Sequence, residues 1–271
     1  MSRRNISVLL SFVFSLGFSV PALVAPNAAA AATVQQHPVA ESADLINESG
    51  RLRMLTERMG KSYAQIALSV LPEKAHEQIL QSQQRFEENL VLLRKSADSP
   101  ELKSGLEAVA TQYASYVKAL AKPASKDNVA AAHRITESLV EAADKLTLAF
   151  QAQSAAPSAK IVNLAGRQRM LSQRMARLYF AAVLNNSKID ADKATAEFRN
   201  ALQILDTATL TSVEIKRELA LVRNQWTFFE LALQGKGDLN SSIRNVATTS
   251  ERLLEVMDNL TGLYGRALKQ T

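Results

Sequence analysis

The sequence predicts an all-α protein built as two tandem up-and-down four-helix bundles, and three observations carry that prediction. Its prolines fall about one long helix apart, its composition favours helix over sheet, and its second half repeats its first. Ala, Leu, Gln, Glu, Lys and Arg are abundant, and no long stretch is rich in β-branched residues.

The N-terminal "MSRRNISVLLSFVFSLGFSVPALVAPNAAAAA" joins two arginines, an uncharged apolar run, a proline break and small residues suited to signal peptidase. Residues 1–32 therefore read as a secretion signal cleaved near Ala30 to Ala32, and no later stretch has the roughly 20 consecutive apolar residues of a membrane span. The expected product is soluble and periplasmic. With no cysteine, the chain has no disulfides, thiolate metal sites, covalent haem or lipoprotein anchor. Loss of Arg3 and Arg4 with the leader lowers the formal charge from +6 to about +4, a mild excess, and export argues against nucleic acid as a partner.

In the remainder, Pro72, Pro100, Pro123 and Pro157 bound helices expected at about 42–70, 73–97, 100–121 and 125–152. Ser99 and Pro100 form an N-cap followed by proline at the first helical position. Polar breaks at 185–190, 207–212 and 235–240 divide the second half into four more helices. "ESLVEAADKLT" from Glu137 matches "ERLLEVMDNLT" from Glu251, and "VATQYASY" from Val109 matches "VRNQWTFF" from Val222, at nearly constant offsets of 114 and 113. One domain is thus expected over 42–152 and a second over 158–269.

The two repeats open on the same motif, "LINESGRLRMLTERM" from Leu45 and "IVNLAGRQRMLSQRM" from Ile161, with eight identities in fifteen positions. Unrolled at 100° per residue, Leu45, Leu52, Leu55, Met59, Tyr63 and Ile66 form a core face. Asn47, Arg51 and Arg58 lie opposite, toward solvent or an adjoining chain. Arg53 belongs to neither side: it lies on a strip of small residues with Ser49, Gly50, Thr56 and Gly60, as Arg169 does with Ala165, Gly166 and Ser172. Such strips let a second helix approach closely. A mid-helix glycine costs about 1 kcal/mol relative to alanine, so its presence in both copies points to close approach or a bare amide.

An arginine in such a crevice without a fixed carboxylate partner has an unmet charge, and an anion accepting hydrogen bonds from two facing forks would relieve it. Glu57 at i+4 is the local candidate for Arg53, but Gln173 holds that position in the second copy. Arg51, Arg58, Arg167 and Arg174 read as solvated or structural, and the motif methionines as core. His37, His76 and His133 are scattered, so no metal site is expected. No nucleophile, Walker or dinucleotide motif is present, so neither an enzyme nor a cofactor is expected.

"INESGRLRMLTERM" and "VNLAGRQRMLSQRM" resemble the opening motif of the PilJ-type domain, the N-terminal sensor of type IV pilus methyl-accepting chemotaxis transducers. They are also similar to the P-box of nitrate/nitrite sensor histidine kinases. The resemblance implies a periplasmic helical bundle. In relatives that sense nitrate, it implies an anion site at a dimer interface using the arginine three residues after the motif glycine. Here that implies Arg53 after Gly50 and Arg169 after Gly166, supported by Asn47, Asn163, Arg58 and Arg174.

The expectation is a nitrate- or nitrite-binding sensor, or an accessory to a membrane-bound receptor, whose tandem copies imitate the receptor dimer and share one anion between Arg53 and Arg169. A homodimer is also compatible with the motif. The competing expectation is a scaffold whose helix seams dock receptor or pilus components without a small ligand.

Overall fold

The computed structural model describes residues 38–235 and 237–271, so the expected secretion signal at 1–32 lies outside the described residues. The described chain is all-helical. Its helices are α1 (Val39–Ala67), α2 (Pro72–Lys95), α3 (Pro100–Leu120), α4 (Lys126–Ala152), α5 (Ala159–Asn185), α6 (Asp192–Asp206), α7 (Val213–Leu233) and α8 (Leu239–Lys269).

Local chemistry sets most boundaries. Ser99, Ser125, Ser212 and Asp238 each accept a backbone N–H of the following first turn, satisfying a donor that the helix itself cannot. Pro72 and Pro100 begin α2 and α3, where a missing N–H costs nothing. Asn186 turns the chain out of α5 in the left-handed conformation. α1 starts three residues earlier than expected, directly after Pro38, whose carbonyl accepts from Ser42 N at 2.9 Å.

Within each half, the first helix packs on the second and fourth, and the third packs on the fourth. The second and third helices meet through aromatic stacks at equivalent places, Phe86 on Tyr113 at 4.1 Å and Phe198 on Trp226 at 4.5 Å. The two halves then join along α1 and α5, which form the largest helix–helix contact among the described residues. Asn47 meets Arg169, Arg53 meets Asn163, and Glu57 meets Arg174 and Arg177. The first two pairs are a reciprocal exchange centred on Gly50 and Gly166, and the third lies further along both helices, so α1 and α5 run in the same direction, side by side, about a pseudo-twofold axis.

This arrangement explains why the helical wheel has no free side. Leu45, Leu52, Leu55, Met59 and Tyr63 are buried as expected, but so are Thr56, Glu57, Lys61 and Ser62. α1 is enclosed by α2, α4, α5 and α8, and the side expected to face solvent or an adjoining chain faces the other half of the same chain.

Candidate functional site

The motif glycine and arginine act as one unit. Arg53 is 1% exposed, its guanidinium folds back over its own helix, and its Nε donates to the Gly50 carbonyl at 3.4 Å. A Cβ on Gly50 would lie 2.9 Å from Arg53 Nη2, too close for an unmoved side chain. Arg169 repeats this over Gly166, with Nη2 3.2 Å from the corresponding Cβ position. The bare backbone expected to admit a second helix is covered instead by the helix's own guanidinium.

Each guanidinium then reaches both halves of the molecule. Arg53 Nη1 donates to Asp144 of α4, and its Nη2 donates to Asn163 Oδ1 of α5 at 2.7 Å. Arg169 Nη1 donates to Asp258 of α8, and its Nη2 donates to Asn47 Oδ1 of α1 at 2.9 Å. The premise that these arginines lack a fixed carboxylate partner is therefore overturned, because helices about ninety residues along supply one to each. Burial pushes the Arg169 pKa down to about 10, with Arg51 adding repulsion and Asp258 opposing both; the group remains charged at neutral pH. Arg53 is likewise lowered by burial and supported by Asp144.

Glu57 is not the local partner of Arg53. It is fully buried and accepts from Arg174 Nε at 2.7 Å and from Arg177 Nε, both on α5. Arg174 and Arg177 also donate to Glu137 of α4. In the equivalent corner Arg58 Nη2 donates to Glu251 of α8 at 2.6 Å, and Lys61 donates to the same carboxylate. Of the expected site residues, Arg53 and Asn163 thus come together over Gly50, as do Arg169 and Asn47 over Gly166. Arg58 and Arg174 stand in two separate corners.

Asp144, Asp258, Glu137, Glu251 and Lys61 were not singled out from the sequence. A signal for the acids was present: Glu and Asp recur seven residues apart in both "ESLVEAADKLT" and "ERLLEVMDNLT", two turns along one helix face. Among the described residues, no group of His, Cys, Asp and Glu is arranged to hold a metal ion, and no helix is long and apolar enough to cross a membrane.

The family described as Type IV pili methyl-accepting chemotaxis transducer N-term (PilJ) matches residues 39–144 and 150–233. The chain belongs to this family. PilJ-type domains are sensory and non-catalytic, usually periplasmic parts of receptors, and the paired matches follow the two halves of this chain. No curated protein and no solved structure matches the chain.

Proposed function

We propose that this PilJ-type chain is a periplasmic sensory module in which the two halves take the place of two receptor subunits, and that it acts by contact with a membrane-bound receptor. The observation that carries this reading is the reciprocal cross-bracing of Arg53 on Asn163 and Arg169 on Asn47. With Asp144 and Asp258 supplying the counter-charges, that brace is complete without a ligand. A change in how the halves pack would be the state that a partner reads.

Nitrate or nitrite binding at the same arginines is the second reading. The partial exposure of the competing carboxylates favours it, 29% for Asp144 and 40% for Asp258, as does the P-box resemblance. An incoming oxyanion would have to displace a tethered carboxylate from each fork.

Calorimetric titration of the full chain with nitrate, at constant ionic strength with chloride as control, separates the two. The first reading expects no saturable heat, and recovery of a membrane receptor after cross-linking. Saturable uptake of one nitrate per chain, lost in Arg53→Ala and Arg169→Ala, would establish the second.

A further inference from the structure

The duplicated corners beside the motif differ in charge. In one, Arg174 and Arg177 share two carboxylates, Glu57 and Glu137. In the other, Arg58 and Lys61 share only Glu251, because Gln173 stands where Glu57 stands in the first repeat. Gln173 donates to the Ser250 carbonyl at 2.9 Å and leaves its own Oε1 buried without a donor. Lys61 has no exposure to water. A fully buried lysine and a partly exposed arginine on one carboxylate leave a positive charge uncompensated, an expensive arrangement unless a further anion joins it.

This corner opens into a cleft of about 680 Å³ between α1, α2 and α8. Arg51, Arg58, Lys74, Arg85 and Arg252 line it, against three acidic side chains, Glu251, Glu255 and Asp258. Lys74 and Arg252 are exposed and have no ion pair among the described residues. Met54, Leu55 and Leu254 give the cleft an apolar floor. The equivalent cleft at the other corner is smaller, about 440 Å³, and is balanced, with three basic and three acidic side chains. Ser138 there replaces Arg252. Arg51 and Arg85 are paired with Glu48, so the excess of positive charge rests on Lys74 and Arg252, and such an excess over a low-dielectric floor concentrates anions.

We propose that the cleft between α1, α2 and α8 binds a small organic polycarboxylate, with one carboxylate on Arg58 and another between Lys74 and Arg252. The apolar floor takes the carbon skeleton, which a planar inorganic ion cannot offer, and the cleft exceeds what such an ion would fill. The cleft adjoins the Arg169 fork through Asp258, but the proposed contacts at Arg58, Lys74 and Arg252 include neither Arg53 nor Arg169 and do not depend on contact with a receptor.

The test is calorimetric titration of the full chain with citrate and succinate at constant ionic strength, with inorganic phosphate, nitrate and chloride as controls. Saturable binding of one polycarboxylate per chain is expected. Lys74→Ala with Arg252→Ser should weaken it at least tenfold without loss of fold, since both side chains are exposed and unpaired. Gln173→Glu, which installs the missing carboxylate, should also weaken it while raising the melting temperature. Arg134→Ser in the balanced cleft should change nothing. No saturable heat with either acid, equal affinity for phosphate, or indifference to the Lys74 and Arg252 substitutions would each overturn the proposal.

Discussion

Glu57 and Gln173 occupy equivalent positions in the two repeats and both are fully buried, yet only Glu57 is charged, and it holds two arginines of the other half. Glu57→Gln would leave Arg177, itself 3% exposed, with Glu137 as its sole carboxylate. Breaking a buried pair in this way should cost about 3 kcal/mol. Glu137→Gln, at a side chain 45% exposed, should cost about 1 kcal/mol or less. Urea unfolding of both variants measures the contrast, and equal losses would show that Glu57 is not the principal anchor.

Glycine substitutions should divide by what fills the space above them. Gly50→Ala must displace the Arg53 guanidinium and should lose about 1 to 2 kcal/mol despite alanine's better helix propensity. Gly265 has nothing within 4 Å of its Cβ position, so Gly265→Ala should gain about 0.5 to 1 kcal/mol. Thermal unfolding gives both signs, and a stabilising Gly50→Ala would refute the pairing of glycine with arginine.

Arg53→Lys keeps the charge but not the two-armed contact with Asp144 and Asn163, so a loss of about 2 kcal/mol is expected. In a double-mutant cycle with Asn163→Ala, the coupling should be about 1 kcal/mol. Additive losses would mean that the contact between halves contributes nothing of its own.

Burial alone would push the Glu251 carboxyl up, but Lys61 and Arg58 outweigh it and hold the pKa at about 2, below the usual 4.5. A carboxyl depressed in the folded state stabilises the protein above its unfolded pKa, and that contribution is lost as pH falls through the folded value. About 3 kcal/mol should therefore disappear between pH 5 and pH 2. Glu251→Gln should lack that part of the pH dependence in denaturant titrations at several pH values.

Helix positions and the duplication were legible because they depend on neighbours in sequence. Pro72 and Pro100 cannot sit in a helix interior, Ser99 caps the turn beside it, and constant offsets survive whatever the halves do in space. The singular status of Arg53 and Arg169 was legible for the same reason, since a glycine three residues earlier lies on the same face of the same helix.

What those arginines meet depends on how the helices assemble in space. Asp144 lies 91 residues from Arg53 and Asn163 lies 110, and helical periodicity carries no information across such separations. Parallel packing of α1 on α5 made the side expected to face solvent or an adjoining chain an internal interface, where the helix of one half supplies partners to the other. Eight helices over the described residues, their order and the paired motif follow from local sequence. Which charges are satisfied depended on which helix ends beside which, and that placed the imbalance at Arg58 and Lys61 rather than at Arg53 and Arg169.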